Sequence, residues 1–241
     1  MLPLLRLRVR PPAVVMAAAA AGIAAAVELA RGNLGTAAAL VVLKTVLDNA
    51  DGQLARLSGR VTPFGRYLDS ESDLVVDAAL FAGLGYLTGN PLIALASFLA
   101  LTFVLNANFN LRRLYEHEHG LRAAEPMPGA SGAAELLRRI YAVVYAPQDR
   151  LVERHVERRL VGRRREARLA YHDRGSIVLL HNLGLSTQLT AFALCLAAGL
   201  PAVAYAVPLA AAAALVPLEL RRGLRAERAA HLSTRRRYEA C

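Results

Sequence analysis

Leu47-Asp48-Asn49-Ala50-Asp51-Gly52-Gln53-Leu54-Ala55-Arg56, followed shortly by Gly65-Arg66-Tyr67-Leu68-Asp69-Ser70-Glu71-Ser72-Asp73, sets five acids at the adjoining ends of two apolar runs. An ionisable side chain at the centre of a membrane helix costs about 2.5–3.5 kcal/mol on insertion scales. Such residues are therefore rare, face protein rather than lipid, and mark functional sites. Whether these runs are membrane spans or core helices of a soluble domain decides the fold.

Composition favours the membrane. Hydrophobic residues make up 55% of the 241, yet the formal net charge is +10. Apolar and charged residues fall in separate blocks, whereas a soluble amphipathic helix interleaves them. Six apolar segments stand out, at about 13–30, 34–56, 68–88, 91–111, 175–198 and 201–219. Each approaches the ~20 residues that a helix needs to cross the hydrocarbon core. Breaks at Arg31-Gly32-Asn33, Gly89-Asn90-Pro91 and Gly199-Leu200-Pro201 predict antiparallel helical hairpins. The run from Ala13 to Ala30 exceeds a usual signal-peptide core, and no soluble-domain pattern follows it, so it is expected to remain as a first span.

Threading six spans with the N-terminus in the cytoplasm puts 27 of the 29 Lys and Arg residues on the cytoplasmic side; the exceptions are Arg31 and Lys44. That is the positive-inside pattern. The fold expected is an all-α integral membrane protein of six transmembrane helices, with both termini cytoplasmic. Four regions follow: 1–115, the N-terminal segment with spans one to four; 116–173, a basic helical insert; 174–222, spans five and six; and 223–241, a basic tail. Within the insert, helices are predicted over Glu135–Ala146 and about Gln148–Ala170. The second sets Leu151, Val152, Val156 and Leu160 among arginines, so it can lie on anionic headgroups or serve as a solvated connector.

Basic charge also suits nucleic-acid binders, but no zinc-ligand spacing, aromatic-interleaved basic patch or recognition-helix pattern is present, and no nucleic-acid partner is expected. Cys195, inside an apolar run, and Cys241 form no disulfide framework.

Asp48 and Asp51 are three residues apart on one helix, and Asp69 and Asp73 four apart on the next. Each pair shares a face, and both sit near the cytoplasmic end of their spans. Packing the two helices would collect four carboxylates in one cavity, a charge density that requires cations. Hard oxygen donors suit Mg²⁺ or Mn²⁺, which also bind substrate phosphates. Gly52 and Ala55 are small enough to let a ligand or helix approach.

The spacing Asp48-x2-Asp51-Gly52-x2-Ala55-Arg56-x8-Gly65-x3-Asp69-x3-Asp73 resembles the signature of the CDP-alcohol phosphotransferases (CDP-alcohol phosphatidyltransferases) at all eight positions. The six-span layout is similar over most of the chain; the 112–174 stretch is the departure. The resemblance implies that Asp48, Asp51 and Asp69 hold two divalent ions, Mg²⁺ or Mn²⁺, against a donor diphosphate, with Asp73 able to complete the shell of the second ion. It implies CDP binding by Asp48, Asp51, Gly52, Ala55, Arg56 and Gly65, and Asp73 as general base toward the acceptor hydroxyl. The implied reaction moves a phosphatidyl-type group from a CDP-linked lipid, CDP-diacylglycerol first among them, to a small alcohol with release of CMP. It also implies phospholipid synthesis in the cell membrane, an active site at the cytoplasmic face, and a homodimer.

For the acceptor, the residues offer Asn106, Asn110, Arg112, Arg113, Arg174 and Asn182. Buried amides can bind a polyhydroxylated alcohol or merely join helices. Asp77 extends the Asp69–Asp73 face and can support the site or pair with a membrane Asn or Lys44. Two rival functions compete. A membrane prenyltransferase also uses Asp and Mg²⁺ on a diphosphate, but leaves Gly52, Ala55, Arg56 and Gly65 unexplained. A divalent-cation carrier would spread its acids across the membrane, and here they gather at one end.

Overall fold

Alanine dominates the first helix, and small side chains let neighbouring backbones approach closely. The structure, a computed structural model, describes residues 11–57, 63–121 and 145–239; the side chains of residues 11, 55–56, 63–67 and 233–239 lie outside that description. All regular structure among the described residues is helical: α1 (Pro11–Ala30), α2 (Leu34–Leu57), α3 (Pro63–Thr88), α4 (Pro91–Glu118), α5 (Ala146–Leu160), α6 (Arg165–Tyr171), α7 (Arg174–His181), α8 (Leu185–Ala197), a 3₁₀ turn (Pro201–Tyr205) and α9 (Ala206–Glu239). The three turns expected from sequence are present. Gly32, Gly89 and Gly199 each adopt positive φ there, a conformation open to glycine at little cost.

Among the described residues, four stretches are long and apolar enough to cross a membrane: Pro12–Ala30, Pro91–Glu118, Arg165–Ala197 and Pro201–Leu232. The chain is thus all-helical with the character of an integral membrane protein. The other two expected spans, α2 and α3, have the length, at 24 and 26 residues. Lys44, Asp48, Asp51 and Arg56 in α2, and Arg66, Asp69, Glu71, Asp73 and Asp77 in α3, keep both from reading as apolar spans.

The chain divides into two units. The first comprises residues 1–102, 127–143 and 185–209, and its described core is built on α1, α2 and α3. Ala18, Ala25, Ala26 and Leu29 of α1 pack with Ala37 and Val41 of α2 and with Val76, Leu80 and Leu84 of α3. Helix α8 lies along α2, and the Phe192 ring meets Phe81 edge-on at 5.6 Å. Two glycines set the spacing. A Cβ on Gly83 would lie 2.7 Å from the Ala26 carbonyl oxygen, and one on Gly22 would lie 2.3 Å from Val76 Cγ1.

The second unit comprises residues 103–126, 144–184 and 210–241. Its core gathers Ala107 and Leu111 of α4, Val152, Val156 and Leu160 of α5, Ala167 and Tyr171 of α6, Leu180 of α7, and Leu218 and Ala226 of α9. Val152, Val156 and Leu160 of α5 are therefore covered by protein, whereas Leu151, named with them from sequence, is 60% exposed. The long insert helix expected over 148–170 is two helices, broken at 161–164 where Gly162 has positive φ. The helix expected over Glu135–Ala146 lies almost wholly outside the described residues. Span five is also broken: α7 ends at His181, and Leu183 and Gly184 make tightened bonds to the carbonyls of Leu180 and His181 before α8 begins. A continuous helix was expected there because apolar pattern alone does not register such a turn.

Arg222 sits at the centre of the second unit, fully buried. Its guanidinium lies 4.1 Å from the Tyr171 ring centre. Nε donates to the Tyr171 carbonyl at 3.1 Å, Nη1 approaches Glu219 at 3.3 Å, and Nη2 faces His172 Nδ1 at 3.3 Å. Tyr171 also donates its hydroxyl to Glu219. A buried charge held by this many partners cannot be truncated without leaving them unpaired.

Gly83→Ala should destabilise the first unit by about 1–3 kcal/mol, because a backbone oxygen cannot move aside as a flexible side chain would. Gly35→Ala, with nothing within 4 Å of the added Cβ, should not. Detergent-solubilised melting curves of the two variants check this directly.

Candidate metal centre

Helical spacing builds the site from two elements of the first unit. On α2, Lys44 and Asp48 are one turn apart; on α3, Asp69, Asp73 and Asp77 succeed one another at four-residue steps. Residues four apart stack on one face, so packing α2 on α3 brings the two columns together. Asp48, Asp69 and Asp73 each offer a carboxylate oxygen, and all three oxygens lie within 4.8 Å of one another. A divalent ion bound at about 2.1 Å to several oxygens holds neighbouring donors about 3 Å apart and opposed ones about 4 Å apart. The donor set is all hard oxygen and its spacing is of that size, so the residues fit Mg²⁺ or Mn²⁺.

Asp51, expected in the same cavity, is buried at 7% exposure and lies outside this trio. It remains close enough for its charge to act on Asp69. Gly52 is half-buried on α2. Ala55, Arg56 and Gly65 occupy helical backbone in α2 and α3, and their side chains lie outside the described residues.

Sequence reading gave Lys44 no place in the centre beyond a pairing with Asp77. Its side chain is 1% exposed; the ammonium pairs with Asp73 and lies 3.3 Å from Asp48 Oδ1. The available signal was a lone lysine one turn before Asp48 in an apolar run. Both carboxylates it touches keep 19% of their surface open, so the centre can be approached. One turn beyond Asp73, Asp77 is 2% exposed, and its Oδ1 has no hydrogen-bond partner among the described residues. Glu71, on another face of α3, is 5% exposed with both oxygens in the same condition. Beside Asp48, Asn49 Nδ2 donates to the Thr45 carbonyl at 2.7 Å and to Ser186 Oγ at 3.1 Å, so α8 borders the centre.

The acceptor candidates all belong to the second unit. Asn106 and Asn110 are buried on α4, and Asn110 Nδ2 donates to Asp149 Oδ1 at 2.7 Å. Arg113 donates to Asn110 Oδ1 at 3.2 Å and pairs with Glu153. These contacts join α4 to α5. Arg112 pairs with Glu116 at 3.1 Å. Arg174 and Asn182 are exposed at opposite ends of α7.

Comparison with known proteins adds the following. A family model described as CDP-alcohol phosphatidyltransferase matches residues 2–144. An archaetidylinositol phosphate synthase of Aeropyrum pernix is 45% identical over 58 residues, 24% of this chain and 29% of its own length. One from Methanothermobacter thermautotrophicus is 39% identical over 87 residues, 34% of this chain and 44% of its own. A bifunctional IPC transferase and DIPP synthase of Rubrobacter xylanophilus is 35% identical over 85 residues, 35% of this chain and 20% of its own. The chain thus spans less than half the length of each relative. No solved structure matches.

Asp48→Asn and Asp69→Asn should each weaken Mn²⁺ binding to the detergent-purified protein at least ~10-fold, read from free Mn²⁺ by electron paramagnetic resonance. Glu116→Gln, which breaks the Arg112 pair in the second unit, should bind as the parent does.

Proposed function

The chain belongs to the CDP-alcohol phosphatidyltransferase family, and we propose on that footing that it transfers a phosphatidyl-type group from a CDP-linked lipid to an alcohol, releasing CMP. The observation that carries this reading is the carboxylate trio of Asp48, Asp69 and Asp73, set inside the complete eight-residue motif. Membership in a family of transferases of phospholipid synthesis weighs against both the prenyltransferase and the carrier.

In the proposed reaction, Asp48, Asp51 and Asp69 would hold two divalent ions, with Asp73 completing the coordination of the second ion. When bound, the ions offset charge on the diphosphate oxygens and on the departing CMP. Gly52, Ala55, Arg56 and Gly65 border the CDP moiety. Asp73 accepts the proton of the acceptor hydroxyl, whose oxygen bonds to the phosphorus distal to cytidine. The bond from that phosphorus to the CMP oxygen breaks, and CMP leaves with its electron pair. Positioning and charge compensation supply most of the barrier reduction in such transfers.

The setting follows from the same reading. Helices α2 and α3 cross the membrane as spans two and three, their charges turned toward each other and away from lipid. Arginine distribution puts the termini and the site on the cytoplasmic side. The donor enters from the bilayer and the acceptor from the cytoplasm. CDP-diacylglycerol is the first donor to test. The relatives' names make a phosphorylated inositol the first acceptor. Two copies are proposed to form a dimer, as the family resemblance implies.

Purified protein given CDP-diacylglycerol, Mg²⁺ and a panel of alcohols should release CMP with one acceptor in particular. Asp73→Asn should lower that rate by at least ~10³-fold, within the range seen when a positioned proton-transfer group is removed. Absence of release with every acceptor, together with absence of CMP and CDP-lipid binding, would overturn the assignment.

A further inference from the structure

A fully buried lysine inside an acid cluster competes with any metal ion for the same oxygens. Lys44 does this directly: its ammonium contacts Asp73 and Asp48, two of the three carboxylates of the trio. Without it, the trio would hold three negative charges with no cation against them among the described side chains, an arrangement that apolar surroundings penalise heavily. The lysine thus keeps the donors assembled when no metal is bound. A metal ion on the trio then needs Asp73 and Asp48 released from the ammonium, and a buried ammonium cannot be left unpaired.

The structure provides a second place for it. Asp77 stands one turn beyond Asp73 on α3, is 2% exposed, and has a carboxylate oxygen without a hydrogen-bond partner among the described residues. The charges of Lys44, Asp73 and Asp48 all act on it. The base of the lysine stem is fixed against α1, where a Cβ on Gly22 would come within 3.3 Å of Lys44 Cγ. Beyond Cγ the flexible stem keeps rotatable bonds of its own, and Asp77 is a single helical turn from Asp73 on α3.

We propose that Lys44 is an exchangeable counter-ion: it neutralises Asp48 and Asp73 in the metal-free protein and transfers to Asp77 when a divalent ion occupies the trio. Lys44 and Asp77 are thus positioning residues that set how tightly the centre takes its metal. The inference rests on the metal-centre part of the function proposed above, and requires neither a particular donor nor a particular acceptor.

Mn²⁺ affinity and melting temperature of the full chain in detergent test it, with Lys44→Met, Asp77→Asn and the double variant. Lys44→Met should bind Mn²⁺ ~10-fold or more tightly than the parent and should melt lower without metal, recovering when Mn²⁺ is added. Asp77→Asn should weaken binding ~10-fold when Lys44 is present and less than ~3-fold when it is absent, a coupling typical of linked sites. An equal effect of Asp77→Asn in both backgrounds would overturn the exchange. So would a Lys44→Met protein that melts lower by the same amount with and without Mn²⁺ at unchanged affinity. If Lys44→Met does not fold, the isosteric Asp77→Asn decides alone, since unchanged Mn²⁺ affinity in it contradicts the transfer. Failure of the parent protein to bind Mn²⁺ would remove the metal centre and this inference together, whereas the preceding outcomes remove only the inference.

Discussion

The contact between the charged faces of α2 and α3 governs the first unit. Lys44, Asp48, Asp69, Asp73 and Asp77 are turned onto one seam between helices whose other sides carry apolar residues. Separating the helices would leave the buried Lys44 ammonium without Asp73. Bringing them together without a cation would crowd like charges. The helices therefore have one favourable arrangement, acid column against acid column with a cation between. The small residues of α1 follow from that arrangement, because a third helix must pack closely around the seam without disturbing it. Gly22 lies against both Val76 and the Lys44 stem, and Gly83 against the α1 backbone.

The second unit solves a related problem differently. Its buried cation, Arg222, is satisfied by neutral and aromatic groups as well as by Glu219. Every guanidinium nitrogen has a partner within the same core. That is the pattern of a structural charge, with its geometry saturated. The centre between α2 and α3 differs in kind. Among the described residues it holds more acid than base, two of its carboxylates remain partly open, and a buried oxygen of Asp77 has no hydrogen-bond partner. An unsatisfied cluster of this sort is what a ligand-binding site requires and what a structural site avoids.

Much of this was legible in the sequence. The spacing put Asp48 with Asp51 on one face of α2 and Asp69 with Asp73 on one face of α3, because helical periodicity converts separation into direction; three of these four form the trio, and Asp51 lies outside it. The turns at Gly32, Gly89 and Gly199 were legible for the same local reason. Lys44 was not, since its partner Asp73 is 29 positions away and only the packing of α2 on α3 joins them. Nor was the fate of α5. Its Val152, Val156 and Leu160 predicted an apolar face, but no local rule says whether lipid or protein covers such a face. The interruption at Asn182-Leu183-Gly184 falls in the same class, because an apolar run reads alike whether it is one helix or two.

The glycine at position 22 also constrains how the protein can change over generations. A methyl group there would overlap Val76 and press on the stem of Lys44, so positions 22, 44 and 76 cannot drift independently. A lineage that replaces Gly22 must first shorten residue 76, after which the lysine stem need give only a few tenths of an ångström. The order in which those substitutions can accumulate is thereby fixed by volume alone. Sequences that have lost the glycine should carry the mark of that order at position 76.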